Sequence, residues 1–403
     1  MTEFYVDLHV HIGCDSLGRP IKVSGSRKLT FENIAKECFY RKGVDIVGIV
    51  DAAAPGVIRD IENLLDSGEM IEIPGGGIGY KDRIVILLAS EVETSEEHRG
   101  HSHHLILLRT LDTAKSFSRS LRRCVSNIFF STPVCAMPSR DLYMMALDAG
   151  AIPFPAHAFS PHKSIYGNCV RRLNDAFPHE ILDSLLALEL GLSADTDLAD
   201  TISELKQYTF LSNSDAHSLP KIGREYNVML LEKASFDETI KSLARRDGRR
   251  VVANYGLDPK LGKYHRTYCP ACNRTFRNQA PPVLRCPECN STSVVRGVFD
   301  RIADIQDYPV PEHPVHRPPY RYQIPLEFVP GIGPKSIDKL ISRFGSEMAV
   351  LHTALEEELA EVVGRKAAHL IIEAREGTLP LVAGGGGHYG KALINNGFPN
   401  LDA

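Results

Sequence analysis

The residues with the clearest chemical signature are two pairs of cysteines in the second half of the chain. Cys269 and Cys272 form one CxxC pair, Cys286 and Cys289 form the other, and thirteen residues separate the two pairs. Four thiolates at this spacing can close a tetrahedral site around zinc with no open coordination position. A closed site is structural, so we expect one zinc ion here that takes no part in catalysis.

Histidines and carboxylates form a second set, in the first 232 residues. Most of them lie at or near the ends of short apolar runs, and in DLHVH the alternation places His9 and His11 on one strand face with Asp7. Any one of these histidines alone would more simply be a core or surface residue. Their shared position favours a site for two or three ions such as Zn, Mn or Fe. The candidate ligands are His9, His11, Asp51, Glu91, His104, His157, Asp215 and His217.

The stretch HRGHSHH at 98–104 offers several histidines for one position. Alternation with the apolar residues that follow favours His104 as the inward ligand and His103 as the residue that faces away. His98 and His101 are expected in the preceding loop. Asp7 lies deeper in its strand, where it would orient a histidine without binding an ion.

The elements that must position these groups are eight apolar runs that alternate with helix-like stretches up to about residue 232. The pattern favours an α/β barrel or a doubly wound sheet of buried parallel strands, with the site at the carboxyl ends. One helix is expected to begin at Thr30 and to end at Gly43. The runs are FYVDLHVH, VDIVGIVD, RIVILLASEVE, HHLILL, AIPFPAH, LLALELGL, YTFLSNSDAH and YNVMLL.

The rest of the chain is expected to divide into smaller segments. After a first domain at 1–232 we predict a basic connecting segment at 233–263 and a zinc-binding module at 264–300. A Pro-rich connector at 301–325, a helical DNA-binding domain at 326–376 and a mobile Gly-rich tail at 377–403 follow.

The stretch FVPGIGPKSIDKLISRFG at 328–345 is typical of a tight turn followed by a helix. Gly331 and Gly333 would form the turn, and the helix N-terminus beside Lys335 could bind a DNA phosphate. A plain helical turn is the simpler alternative. In the zinc module, Arg274 and Arg277 lie among aromatic residues, a mixture that suits nucleic acid.

Composition sets broad limits on the class of protein. The chain has 403 residues, 43% hydrophobic and 24% charged, which predicts two or three globular domains. No apolar run reaches membrane-spanning length and no signal-peptide pattern is present, so we expect a cytoplasmic protein without membrane contact. The net charge of −4 does not favour a protein that binds nucleic acid over its whole surface. Residues 241–300, however, carry 12 Lys and Arg against four Asp and Glu, which suits contact with phosphate along a limited track or a solvated charged surface.

DLHVH, Glu91, the run that begins at His104, His157 and SDAH at 214–217 resemble the polymerase-and-histidinol-phosphatase (PHP) superfamily. With the four-cysteine module and the helix-hairpin-helix-like segment in this order, nearly the whole chain is similar to the endonuclease Q family. The resemblance implies a distorted PHP-type β/α barrel with two or three divalent ions (Zn, Mn or Mg). It also implies an endonuclease of DNA repair that cuts 5′ of uracil, hypoxanthine, xanthine and abasic sites in double-stranded or single-stranded DNA. It leaves open any sliding-clamp-type partner.

Residue by residue, the resemblance implies that His9, His11, Glu91 and Asp215 hold one ion. Glu91 would bridge to a second ion held by His104 and His157, and His217 would belong to a third site. The chain departs from the family where many members read TDH and this sequence reads VDAA. The third site is therefore expected to be weak, or to use Asp51 and water.

Two other functions remain open from the sequence. One is a PHP-type phosphatase that acts on a small phosphomonoester, which would leave the zinc module and the helical segment without a role. The other is a non-catalytic DNA-binding protein, against which the near-complete ligand set argues. For the nuclease, the loop HAFSPHKSIYG at 157–167 is a candidate base pocket, with an ordinary connecting loop as the alternative.

Overall fold

A computed structural model describes residues 1–96 and 100–393 of the chain. His98 and the last ten residues of the tail therefore lie outside the described part. The strands of this part are β1 Thr2–Val10, β2 Ile46–Ile49, β3 Ile71–Glu72, β4 Ile78–Tyr80, β5 Ile84–Ser95, β6 His101–Leu108, β7 Ile152–Pro155, β8 Ala187–Glu189, β9 Thr209–Leu211, β10 Tyr226–Leu231, β11 Arg250–Gly256, β12 Tyr268–Cys269, β13 Arg274–Thr275, β14 Tyr320–Tyr322, β15 Leu381–Val382 and β16 Lys391–Ala392. The α-helices are α1 Phe31–Glu37, α2 Pro55–Asp66, α3 Leu111–Leu121, α4 Ser139–Asp148, α5 His179–Ser184, α6 Thr196–Ala199, α7 Phe236–Leu243, α8 Val298–Ile305, α9 Pro334–Phe344, α10 Glu347–His352, α11 Glu356–Val363 and α12 Arg365–Glu376.

The main sheet is mixed, which confirms the predicted α/β class. Its order is β14-β11-β10-β1-β2-β5-β4-β3, and β6 and β7 continue from β5. Each of the eight apolar runs contains a strand. The expectation that all of these strands are parallel is wrong, because β5, β6 and β7 are antiparallel neighbours and β10 is antiparallel to β1. His101, expected in a loop, is the first residue of β6.

Strands β8 and β9 form a separate parallel pair outside the main sheet. The amide of Ala158 donates to the carbonyl of Glu189 over 2.8 Å, and a single bridge joins Val10 to Ala216. Single contacts, and not ladders, thus connect the two sheets. Closure of the sheet into a barrel stays a prediction.

Apolar side chains cover both faces of the central strands. Leu87 and Leu105 belong to one buried cluster, whereas Ile86 and Ile106 belong to another on the opposite side. The sheet is therefore buried on both faces, as its near-continuous apolar runs predict.

The first helix begins and ends where the sequence predicts. The Thr30 hydroxyl accepts a hydrogen bond from the amide of Asn33 over 3.2 Å, and Gly43 has a left-handed φ of 76°. The last turn, Cys38–Lys42, is π-helical and touches the helical domain. Lys42 Nζ lies 2.9 Å from a carboxylate oxygen of Glu347, so this turn anchors α10.

Three segments beyond residue 232 differ from the sequence expectation. The predicted connecting segment forms α7 and β11, and β11 extends the main sheet beside β10. The Pro-rich segment supplies β14, which pairs with β11. The described part of the Gly-rich tail forms the hairpin β15–β16, and the Gly384 amide donates to the carbonyl of Lys260 over 2.7 Å. The hairpin is docked on residues 260–263, and the mobility of the tail stays a prediction.

The predicted helical segment consists of α9 to α12 around its own apolar cluster, which includes Leu340, Leu359 and Ile371. Turns with a glycine at positive φ precede α9 (Gly331, 84°) and α12 (Gly364, 83°). The segment thus contains two successive turn–helix units. In the described part of the chain, no helix is long and apolar enough to cross a bilayer.

Candidate metal centre

The ends of several strands bring two groups of candidate ligands together. His9 and His11 at the end of β1 meet Asp215, which follows β9, and their ligand atoms lie within 4.8 Å of one another. The second group, with the same spacing, is Glu91 on β5, His103 on β6 and His157 just after β7. Each group is of a size and chemistry that could hold one ion.

Glu91 lies between the two groups. Its Oε1 atom is 2.9 Å from His103 Nδ1, 3.4 Å from His157 Nε2 and 3.6 Å from His9 Nε2. Its Oε2 atom is 3.5 Å from His11 Nε2. One carboxylate thus reaches both groups, as a bridging ligand would.

The environment of His9 fits a cation. Its Nε2 atom is buried, has no hydrogen-bond partner among the described residues, and lies 3.5 Å from Asp215 Oδ1. Burial would lower the pKa of His9, but the carboxylates of Glu189, Asp215 and Glu91 outweigh it and raise that pKa to about 10. The donor set therefore has a surplus of negative charge that a divalent ion would compensate.

The choice of His104 as the inward ligand is wrong. Directly paired residues of antiparallel strands point to the same side, and β6 pairs His103 with Glu93 and His104 with Val92. His103 therefore shares the face of Glu91, and His104 faces away. The His104 ring lies 2.9 Å from the hydroxyl of Tyr143, and burial lowers its pKa to about 3.

Asp51 does not join either ligand group. One of its carboxylate oxygens accepts from the amide of Ile12 over 2.7 Å and lies 3.2 Å from His11 Nδ1. Asp51 therefore orients the His11 ring so that Nε2 faces the site. Its predicted role as a ligand of a third ion is not supported by this placement.

His217 lies at the edge of the first group, with Nε2 3.3 Å from Asp215 Oδ1. Asp7 belongs to neither ligand group, and its carboxylate accepts from the backbone amide of His9 over 3.3 Å. It accepts from the amides of Ser214 (3.1 Å) and Gly223 (2.9 Å), and so holds the backbone that leads to Asp215.

Two glutamates that sequence reasoning missed support the candidate ligands. Glu189 Oε2 is 2.9 Å from His9 Nδ1, and both side chains are fully buried. Glu93 Oε2 is 3.1 Å from His103 Nε2. The sequence did contain a signal for both residues. Each is a carboxylate inside an apolar strand run, and a charge buried without a partner would be costly, so a partner was to be expected. Partners of this kind fix the orientation and tautomer of a ligating imidazole.

Lys22 is a further residue that the sequence did not single out. Its Nζ atom lies 2.8 Å from Thr132 Oγ1, 3.3 Å from His11 Nε2 and 3.5 Å from Glu91 Oε2. Burial would lower the pKa of Lys22, but Glu91, Asp51 and Asp215 outweigh it and raise that pKa. The ammonium group of Lys22 therefore lies beside both ligand groups. Nothing in the local sequence around Lys22 distinguishes it from a surface lysine.

The backbone is strained at two of the candidate ligands. His157 has a φ of 29° and Asp215 a φ of 46°, in the left-handed region that residues with a side chain rarely adopt. Such strain persists where surrounding structure enforces it, and it often accompanies functional sites. Gly191 allows the close approach of His157, because a Cβ atom there would lie 2.8 Å from that of His157.

The four cysteines form a separate group, as predicted. Cys269 Sγ is 3.8 Å from Cys289 Sγ, and Cys272 Sγ is 3.7 Å from Cys286 Sγ. Four sulfurs at about 2.3 Å from a tetrahedral ion would be about 3.8 Å apart, so these distances fit one closed site.

A cavity of about 420 Å³ opens beside the first ligand group. It is bordered by the backbone after β7, by the strand end at Glu189 and by the docked tail. Positively charged side chains and aromatic rings both line this cavity. The residues that line it include His157, Ser160, His162, Asp215, His217, Lys221, Arg224, Lys263, Tyr264 and Tyr389.

The predicted DNA-binding residues are at the surface. Gly331 and Lys335 are exposed at the turn before α9, and an added Cβ atom at Gly331 or Gly333 would meet nothing within 4 Å. The turn is therefore open to a ligand. Arg277 is exposed, and Arg274 Nη1 is paired with Glu288 at 2.7 Å.

Comparisons with known proteins cover both the C-terminal segment and the full length. The model of the SAM-like helix-hairpin-helix tandem matches residues 324–376. An uncharacterized protein of Bacillus subtilis, YqxK, is 45% identical over 97% of this chain and 99% of its own length.

Two solved structures match nearly the whole chain. The lesion-specific endonuclease PfuEndoQ of Pyrococcus furiosus is 31% identical, with a TM-score of 0.81 over 98% of this chain and 96% of its own. An endonuclease Q in complex with a 27-mer duplex substrate, with an abasic lesion at the active site, is 32% identical. Its TM-score is 0.82, over 98% of this chain and 97% of its own.

Proposed function

Because the chain belongs to the endonuclease Q family, we propose that it is a metal-dependent endonuclease of DNA repair. The finer proposal is hydrolysis of the phosphodiester 5′ of uracil, hypoxanthine, xanthine or an abasic site. One observation carries the proposal: two ligand groups share Glu91 in a chain that matches, over 98% of its length, an endonuclease Q solved with lesion-containing duplex DNA.

The chemistry needs an activated water and compensation of charge on the phosphate. Divalent cations (Zn, Mn or Mg) held by His9, His11 and Asp215 and by Glu91, His103 and His157 would supply both. The remaining residues orient the ligand side chains and supply a positive charge. Glu189 and Glu93 orient the rings of His9 and His103, and Lys22 places an ammonium group where the phosphate would enter.

Inspection of a damaged base requires the nucleotide to leave the base stack. The cavity of about 420 Å³ beside Asp215 and His217 is the proposed receiving pocket. The segment 157–167 contributes His157, Ser160 and His162 to it, in line with the candidate loop from the sequence. A third ion near His217 stays part of the proposal.

DNA contacts outside the pocket are proposed for the helical domain and the cysteine module. The open turn at Gly331–Gly333 gives a DNA phosphate access to the start of α9, and Lys335 adds a positive charge there. A zinc ion at the four cysteines would hold the module that presents Arg274 and Arg277. A phosphatase of small phosphomonoesters is less well supported, because the match extends through both of these parts.

The test is the variant Asp215→Asn in a nicking assay. Asparagine tolerates the positive φ of this position, and it removes one negative charge from the first ligand group. Duplexes that carry uracil, hypoxanthine, xanthine or an abasic site are incubated with the protein and a divalent ion, and the nick is mapped. We expect 5′ cleavage by the parent protein, loss of at least roughly 100-fold in rate for Asp215→Asn, and no cleavage after chelation.

Asp66→Asn is the matched control, because Asp66 is an exposed carboxylate at the end of α2. Cleavage by Asp215→Asn at the parent rate would refute the assignment of the site. Release of phosphate from a small phosphomonoester without any DNA nick would favour the phosphatase instead.

A further inference from the structure

The loop 125–134 combines contacts to the metal centre with exposed aromatic rings. Ser131 Oγ lies 3.1 Å from His11 Nδ1, and Thr132 Oγ1 contacts both Glu91 and Lys22. The two residues before them are Phe129 and Phe130, whose exposed fractions are 55% and 39%. Large apolar side chains usually gain free energy from burial, so two exposed phenylalanines in succession indicate a surface that meets a partner.

The loop is held at both ends. The Cys135 amide donates to the carbonyl of Glu93 over 2.8 Å, and the Glu93 amide donates to the carbonyl of Pro133 over 3.1 Å. Before the phenylalanines, the Val125 amide donates to the carbonyl of Leu121 over 3.2 Å, and directly after them the Ser131 amide donates to the carbonyl of Ile21 over 2.9 Å. The phenylalanines are therefore presented from a fixed backbone.

We propose that Phe129 and Phe130 form a wedge that enters the base stack beside the damaged nucleotide and keeps that nucleotide out of the duplex. The inference rests on the proposed function. A nucleotide that leaves the stack opens a gap between base steps, and apolar side chains inserted at such a gap stabilise the distorted duplex.

The position of the two phenylalanines close to the metal centre supports DNA bases as their partner. Phe129 is two residues from Ser131, so their Cα atoms are at most about 7.6 Å apart. This is roughly two base-pair steps of about 3.4 Å each. Phe130 also lines a small cavity with Asp51 and Glu91, so the wedge lies next to the candidate ligands and within reach of the base steps beside the phosphate that is cut.

The surface around the wedge is continuous with the candidate site. Residues 12–26 form the neighbouring rim, where Ser24 Oγ lies 3.3 Å from His217 Nδ1 and Lys22 faces Glu91. Leu17 and Val23 on this rim are also exposed, by 70% and 82%. An apolar rim beside a cationic and metal-binding centre suits DNA, which offers base surfaces next to phosphates.

The experiment compares cleavage of one lesion in two contexts. Phe129→Ala, Phe130→Ala and the double variant are assayed on a uracil in a fully paired duplex and on the same strand without its complement. We expect the double variant to lose roughly 5- to 150-fold in rate on the duplex, the range that corresponds to one lost stacking contact. On the single strand, where no duplex must be opened, its rate should stay within about twofold of the parent.

Two controls separate the wedge from damage to the centre. Metal content is measured in each variant, because the loop contacts His11 and Glu91. Ile71→Ala changes a side chain of similar exposure (54%) on β3, the last strand of the sheet, and should leave both rates unchanged. Phe129→Leu should retain most of the duplex rate, because it keeps apolar bulk.

A second readout does not depend on cleavage. In the Asp215→Asn background, 2-aminopurine next to the lesion should become more fluorescent when the protein binds, and this increase should be lost with the double alanine variant. Equal rate losses on duplex and single strand, or unchanged fluorescence, would overturn the wedge. So would dissociation of a protein dimer by the variants with normal cleavage, since Phe129 and Phe130 would then join two copies of the chain. If the parent protein cuts no lesion in either context, the proposed function fails, independently of the fluorescence result.

Discussion

Glu189 is the residue on which the orientation of His9 depends, and its removal should weaken metal binding. The carboxylate lies 2.9 Å from His9 Nδ1, and neither side chain is exposed to solvent. The opposite ring atom, Nε2, faces Glu91 and Asp215. Glu189 thus fixes which nitrogen of His9 is directed to an ion.

The size of the effect follows from the kind of contact. Loss of a partner that orients a ligating histidine typically reduces metal affinity or activity by about 10- to 100-fold, or about 1.4–2.7 kcal/mol. Glu189→Gln keeps an oxygen that can accept from Nδ1 and loses only the charge, so it should lie near the lower limit. Glu189→Ala also leaves Nδ1 without its buried partner and should lie near the upper limit.

The assay is the concentration of divalent ion that gives half-maximal nicking of a uracil-containing duplex. An ion bound by the four cysteines would be an internal reference for metal analysis, and melting curves would show whether each variant is folded. Glu180→Gln, an exposed change on α5, is the matched control. An unchanged half-maximal concentration for Glu189→Ala, with normal ion content, would refute the reasoning.

Three further predictions concern individual side chains. His103→Ala should lose one bound ion and at least roughly 100-fold in nicking rate, whereas His104→Gln should lower only the denaturation temperature; metal analysis and melting curves distinguish the two. Lys22→Met should reduce kcat by about 100-fold at unchanged ion content, and Lys22→Arg should recover part of this loss, as single-turnover kinetics would reveal. Burial raises the pKa of Glu225 to about 8, so the folded protein holds a proton that the unfolded chain releases at lower pH, and this contribution to stability is lost as pH rises towards 8. Glu225→Gln does not titrate, so its free energy of unfolding relative to the parent should increase by about 1–4 kcal/mol between about pH 5 and pH 8, measured by urea denaturation.

Most of the chemistry was predictable because it depends on residue type and local spacing. The CxxC pairs place four sulfurs close together wherever the module lies, since each pair is local and the intervening hairpin is short. The apolar runs predicted their strands because a strand that is buried on both faces consists almost entirely of apolar residues. The cap at Thr30 and the stop at Gly43 were predictable for the same local reason.

The choice between His103 and His104 was not predictable, because it depends on the register between β5 and β6. Both faces of these strands are covered by apolar residues, so alternation alone did not tell which face carries the site. A shift of one residue in register moves every side chain to the other face. The pairing of Glu93 with His103 decides the matter.

The sequence by itself determined the four-cysteine group, most of the candidate ligands at the strand ends, which runs become strands and in which order the modules follow. Only the tertiary structure decided that Glu189, Lys22 and Thr132 surround the candidate ligands, and that the Gly-rich tail is docked beside the cavity. The physical reason is that these contacts join residues far apart in the chain. Such contacts cannot be predicted from local sequence preferences, because they form only when separate strand ends and loops come together in the folded protein.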